Sequence, residues 1–169
     1  MKKGFTLLET LFAILILTTG FFSTFSLLRK SISTTTTNVN QLIATNLAQE
    51  GIEIVRNIRD SQYASGYSWA EVLNSLNSGS CSGCEADIDS TSLSVSDQYL
   101  KIDPVNNRYQ YASGEGTIFK RKINIDQGQG VCSEIPNPSD CVKIDVEVSW
   151  QERGQDFNFG AENYIYNLY

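Results

Sequence analysis

The residues of this chain that could do chemistry are one acid in an apolar stretch and four cysteines. Glu9 lies within "MKKGFTLLETLFAILI", and the next charged residue along the chain is Arg29. An ionisable side chain at membrane depth is costly, so it pairs with another polar or charged group. The position of Glu9 therefore predicts a specific partner for its carboxylate.

Composition argues against catalysis. The chain contains no histidine, which is the commonest general base and metal ligand. It also lacks nucleophile motifs and a glycine-rich phosphate loop. A formal net charge of −6 opposes broad attraction to nucleic acid or anionic lipid. The sequence predicts a protein that is not an enzyme, has no cofactor or metal, and does not bind nucleic acid.

The four cysteines form two local pairs. Cys81 and Cys84 stand in "CSGC", and Cys132 and Cys141 bracket a loop. Zinc sites favour two short pairs, and a redox CxxC would open a helix in a βαβ unit, which the pattern lacks. Disulfides are favoured if the domain is exported. We predict the bonds Cys81–Cys84 and Cys132–Cys141, with zinc ligation and free thiols as alternatives.

The elements that position these residues begin with an apolar helix. No charge occurs from Leu11 to Leu28, which is long enough for a helix to cross a bilayer. Basic residues flank the run on both sides, so the positive-inside rule does not fix its orientation. A secretory signal would need a shorter core and a small-residue cleavage site, which is absent. A plain anchor would give no reason for Glu9.

The helical pattern continues beyond the apolar run. Apolar residues recur at three- or four-residue steps from Leu28 to Ile58, interrupted at Gly51, which predicts one helix from about Phe5 to Arg59. Its length would be on the order of 80 Å. "STTTT" is poor helix sequence, so packing must support it. We place four charged residues on the solvated face: Glu50, Glu53, Arg56 and Arg59.

The remaining residues predict an antiparallel sheet preceded by a short helix. Ser68 to Glu71 form a capping box for a helix from Trp69 to Leu76. The Ser-, Gly- and Asp-rich segment 77–97 is interpreted as an irregular loop. Alternation then indicates strands in "YLKI", "RYQY", "TIFKRKINI", "CVKIDVEVSW" and one or two edge segments in "QDFNF" and "ENYIYNLY".

Two of these strands carry opposite charges on their outward faces. Alternation places Lys120 and Lys122 on one face of their strand, and Asp145 and Glu147 on the outward face of theirs. If the strands pair antiparallel, we expect these side chains to lie opposite one another.

The hexapeptide "GFTLLE" after a short basic leader resembles the processing signal of type IV prepilins and type II secretion pseudopilins. The resemblance implies that a prepilin peptidase cuts between Gly4 and Phe5 and methylates the new amine of Phe5. It also implies that the leader stays in the cytoplasm and the domain is exported. "LAQEGIEIVRNIRD" and "VEVSWQERG" are similar to the helix end and globular part of minor pilins.

Three partners are compatible with Glu9. Thr6 to Glu9 have capping-box spacing, which makes the acid a helix cap. The amine of its own Phe5, one turn away, is a second partner. The resemblance implies a third, the Phe5 amine of a neighbouring subunit during filament assembly.

The sequence as a whole predicts an α+β, pilin-like fold in which a long N-terminal helix packs against a C-terminal antiparallel sheet. We divide the chain into a leader (1–4), a membrane-spanning half-helix (5–28), an amphipathic half-helix (29–59) and a globular domain (60–169). The expected function is a minor pilin or pseudopilin in the inner membrane, with its N-terminus in the cytoplasm, that enters an extracytoplasmic filament. Expected partners are the peptidase, other pilin or pseudopilin subunits, and the membrane.

Alternatives are a DNA-uptake filament subunit, supported locally by "KRK" at 120–122, and an anchored binding domain that never polymerises.

Overall fold

A computed structural model describes residues 6–77, 79–127, 131–132 and 137–167. The chain divides into two compact units, Met1–Asn40 and Gln41–Tyr169. The helices are α1 (Leu7–Ala64), α2 (Trp69–Ser75) and a 3-10 turn (Pro138–Asp140). The strands are β1 (Ser80–Glu85), β2 (Ser94–Val95), β3 (Lys101–Ile102), β4 (Tyr109–Gln110), β5 (Glu115–Gly116), β6 (Phe119–Asp126), β7 (Cys141–Glu152) and β8 (Gln155–Tyr166).

The predicted α+β class is confirmed, because α1 packs on an antiparallel sheet. The sheet has the strand order β2-β1-β6-β7-β8, and a second small sheet has the order β4-β3-β5. The face that α1 gives to the core within Gln41–Ala64 consists of Ala44, Leu47, Ala48, Gly51, Ile52, Ile54, Val55 and Ile58. The sheet supplies alternate residues of β6 and β7, among them Ile123, Ile125, Ile144, Val146 and Val148.

Helix α1 extends beyond the predicted end at Arg59 and stops at Ala64. Gly66 follows with a φ of +84°, which a glycine adopts without steric cost. The Gly66 N–H donates to the carbonyl of Tyr63 at 2.9 Å, and the Tyr67 N–H donates to that of Gln62 at 3.1 Å. This is the hydrogen-bond pattern of a Schellman cap. The sequence "SQYASGY", which follows the predicted helix end, therefore contains the last turn of the helix and its cap.

The short helix and its cap are as predicted. The Ser68 N–H donates to Glu71 Oε2 at 2.7 Å, and the reciprocal bond to the Ser68 side chain is also present. The backbone and hydroxyl bonds from Ser68 lower the pKa of the Glu71 carboxyl. Trp69 packs on Tyr63, with the ring centroids 6.4 Å apart and the planes nearly parallel.

The interpretation of 77–97 as an irregular loop is wrong in part. Residues 80–85 form β1, which pairs antiparallel with β6, and β2 pairs with β1 at its outer edge. A β-bulge falls between Cys81 and Cys84, and Gly83 within it has a φ of +71°. Both cysteines are buried, so their sulfurs take the place in the core that aliphatic side chains fill elsewhere.

The strand alternation of β6 and β7 is confirmed. Val142, Ile144, Val146, Val148 and Trp150 are buried, whereas the intervening residues of β7 are half-buried or exposed. Arg153 and Gly154 form the turn into β8, which is one continuous edge strand, not two.

Candidate assembly and processing site

The residues assigned to processing, Gly4 and Phe5, lie outside the described residues. Thr6 is the first described residue and precedes the first turn of α1. The Glu9 N–H donates to Thr6 Oγ1 at 3.3 Å, so the Thr6 side chain caps this end of the helix. One of the two hydrogen bonds of the predicted capping box is therefore present, the one that the Thr6 side chain accepts.

The Glu9 carboxylate lies exposed in the first turn of α1. Within residues 6–77, 79–127, 131–132 and 137–167 it makes no hydrogen bond or ion pair. An acid in the first turn interacts favourably with the helix dipole, whichever partner it binds. The carboxylate can accept hydrogen bonds from an ammonium group presented by another residue or molecule.

Apolar side chains surround Glu9 along this part of the helix. Leu7 is 79% exposed, and the following large apolar residues up to Leu28 are also exposed. The helix has a mean hydropathy of 2.0 in its most apolar window and is long and apolar enough to cross a membrane once. Such a surface is compatible with lipid or with other apolar side chains as its surroundings.

Hydroxyl groups between Thr10 and Thr24 bond to the helix itself. Thr18 Oγ1 donates to the Leu15 carbonyl, and Ser23 and Thr24 donate to the carbonyls of Thr19 and Gly20. The donor–acceptor distances are 2.8–3.0 Å. Hydroxyls bonded in this way leave no donor unsatisfied in an apolar environment.

The "KRK" sequence does not form a free basic patch. Arg121 points into the core and is completely buried. Lys120 Nζ and Lys122 Nζ each lie 3.0 Å from a carboxylate oxygen of Asp97. Hydrogen bonds donated by Lys120 and, to a lesser degree, Lys122 lower the pKa of the Asp97 carboxyl. The bond that Lys120 donates to Asp97 also raises the pKa of Lys120.

Both cysteine pairs form disulfides, Cys81–Cys84 and Cys132–Cys141. This is the local pairing expected from the sequence. Among the described residues no group of three or more histidines, cysteines or acids is placed to hold a metal ion.

Sequence reasoning missed a polar contact between α1 and the sheet, in which Arg121 is buried and the Glu50 side chain is 33% exposed. Glu50, assigned to the solvated face, has a carboxylate oxygen 3.3 Å from Nη1 of Arg121. Strand alternation contained the signal, because Phe119 and Ile123 point inward and Arg121 lies between them in that series. The positive charge of Arg121 favours an exposed position, so the residue type alone was misleading.

Comparison of the chain with protein-family models, with curated proteins and with solved structures gave no match.

Proposed function

We propose that this chain is a minor pilin or pseudopilin, a structural subunit of a type IV pilus or a type II secretion pseudopilus. The observation that carries the proposal is the hexapeptide "GFTLLE" directly before a long apolar helix, with Glu9 exposed in the first turn. An anchor alone does not require an acid at this depth. A subunit that must bind a neighbour's amine does.

The proposed cycle starts with cleavage. A prepilin peptidase cuts between Gly4 and Phe5 and methylates the amine of Phe5, and the basic leader remains in the cytoplasm. The apolar part of α1 then spans the inner membrane once, with the N-terminus inside and the sheet domain outside.

Assembly follows from the charge of Glu9. Two opposite unit charges about 4 Å apart attract by roughly 4 kcal/mol at an effective dielectric constant near 20. The Phe5 amine of an adjacent subunit can supply this charge as the helices come together. In a single subunit, the dipole of α1 and its own Phe5 amine stabilise Glu9 instead.

The alternative of a DNA-uptake subunit has little support in the charge distribution. DNA binding depends on basic side chains that are free to neutralise phosphates. Of the three residues in "KRK", Arg121 is buried and both lysines bind Asp97. A role in a type IV pilus or a type II secretion pseudopilus that does not bind DNA agrees better with this surface.

Co-expression with a prepilin peptidase tests the proposal. The product should begin at N-methylated Phe5, as measured by mass spectrometry of the intact protein. Gly4→Leu should block cleavage because the bulky side chain obstructs the scissile bond, whereas Lys3→Arg keeps the leader's charge and should be cleaved. A membrane-inserted parent protein that keeps Met1 in the presence of active peptidase would contradict the proposal.

A further inference from the structure

Arg121 places a charge inside an otherwise apolar contact. Its side chain has no exposed surface, and its neighbours on that face of β6 are Phe119 and Ile123. Nη2 donates to the Ala86 carbonyl at 2.9 Å, and Nη1 lies 3.3 Å from Glu50 Oε1. Among the described residues neither Nε nor Nη1 has a hydrogen-bond partner, so Nη1 and Glu50 interact as an ion pair without a hydrogen bond. The guanidinium therefore depends on one carboxylate from α1 for its ion pair.

Gly51, the residue after Glu50, has no side chain and so leaves a gap in the helix surface beside Val146, which we call the Gly51 notch. A Cβ at Gly51 would lie 2.8 Å from Val146 Cγ1 and 3.2 Å from Arg121 Cδ, and contacts of 2.8 Å between such atoms are too short. No other glycine occurs in Gln41–Ala64. The backbone of α1 therefore approaches the sheet too closely for a side chain at the residue next to the acid.

The rest of this contact is aliphatic. On the helix it involves small and branched residues such as Ala48 and Val55, and on the sheet it involves residues such as Val146 and Val148. Hydrophobic attraction has no direction, and apolar cores of suitable volume lose a unique arrangement before they lose stability. A slip of α1 by one turn, about 5.4 Å, would still bury aliphatic surface. The slip would also separate Glu50 from Arg121 and bring a residue larger than glycine against Val146.

We propose that the Glu50–Arg121 pair, together with the Gly51 notch, fixes the axial register of α1 on the sheet. Replacing a buried ion pair with apolar residues of similar volume often leaves stability unchanged or higher, so a role in specificity is physically consistent. The pair selects one arrangement among several that the aliphatic residues would accept. This inference does not depend on the filament function.

The experiment replaces both charged residues, Glu50→Met with Arg121→Met, in the full chain in detergent micelles. Methyl NMR reports on the Val146 signals and on the nuclear Overhauser effect between a Val146 methyl and the Gly51 Hα. We expect an unchanged or higher unfolding midpoint, together with more than one set of Val146 signals or loss of that Overhauser effect.

The matched control is Glu53→Met with Arg56→Met, which removes an exposed ion pair on the same helix. It should keep one set of Val146 signals and the contact with Gly51. Retention of both features in the Glu50/Arg121 double variant would overturn the proposal, because Gly51 and the aliphatic packing would then set the register without the ion pair. A double variant that does not fold would overturn it too, because the pair would then be required for stability itself.

Discussion

Lys122 on β6 lies directly opposite Glu147 on β7, yet its ammonium group binds Asp97, 3.0 Å away. The antiparallel pairing of β6 with β7 is thus as predicted, and it places Asn124, not a lysine, opposite Asp145. Among the described residues, no ion pair joins the two lysines of β6 to Asp145 or Glu147. Asp97, which precedes the small sheet, joins both lysines of β6 instead.

Asp97→Asn should destabilise the fold at neutral pH, and the difference from the parent protein should disappear in acid. The pKa of the folded carboxyl is lowered, first by the hydrogen bond from Lys120, so the unfolded chain binds the proton more tightly. The contribution of Asp97 is therefore complete above its ordinary pKa near 3.8 and is lost as the pH falls below that value through the lowered pKa.

Thermal unfolding of the two proteins across pH 2–6, about two units on either side of the ordinary Asp pKa, measures this effect. The midpoints should differ most at the upper end and converge at the lower end. Asp89→Asn is the matched control, because Asp89 is an exposed acid in the neighbouring turn. An Asp97→Asn curve that runs parallel to the parent curve throughout would show that the two lysines contribute nothing.

Gly51→Ala should destabilise the sheet domain. The added methyl group would overlap Val146, and overpacking of this kind costs about 1–3 kcal/mol. The helix propensity of alanine returns up to about 1 kcal/mol. Gly20→Ala is the control, because nothing lies within 4 Å of a Cβ there. Denaturant titration in micelles should give a lower midpoint for Gly51→Ala only, and equal midpoints would show that the helix can move outward without cost.

Removal of the Cys132–Cys141 bond, by Cys132→Ala with Cys141→Ala, should cost on the order of 3 kcal/mol through the loop it closes. Peptide mapping of the exported parent protein under non-reducing conditions should link these two cysteines to each other. Chelator should not change the unfolding midpoint. Stoichiometric zinc, or free thiols in the exported domain, would contradict the disulfide assignment.

Glu9→Leu should leave insertion, cleavage and folding intact but reduce entry into filaments. Leucine is compatible with lipid, whereas the amine of the neighbouring subunit would be buried without a partner, at a cost of several kcal/mol. Some tip subunits of type IV pili lack this acid, so under the proposed function its presence here predicts a position beneath another subunit. The measurement is the amount of the variant in filaments sheared from the native cell, with Thr10→Ser as control. Equal incorporation of Glu9→Leu and parent would mean that Glu9 acts only locally at the helix end.

The capping box of Ser68 and Glu71 located α2. Sequence periodicity was sufficient for the part of α1 within Gln41–Ala64 and for β6 and β7, because each buries residues at a regular spacing. It failed for β1, whose segment "SCSGCE" contains no aliphatic side chain and enters the core through the sulfurs of Cys81 and Cys84. For Arg121 the alternation was right and the residue type was misleading, because a charged side chain favours solvent whereas alternation places it in the core. The partner that makes its burial possible, Glu50, is distant in sequence, and no local pattern connects the two.

The self-bonded hydroxyls of α1 have a consequence for how the helix changes its surroundings. From Leu7 to Phe25 the described hydroxyls direct their donors to carbonyls of their own helix, so the outer surface of this stretch behaves as hydrocarbon. Moving such a surface from lipid tails to the apolar flank of another protein exchanges one nonpolar solvent for another, with no hydrogen bond broken or formed along its length. The free energy of that exchange is then concentrated at one end, where Glu9 either gains a counter-charge or does not.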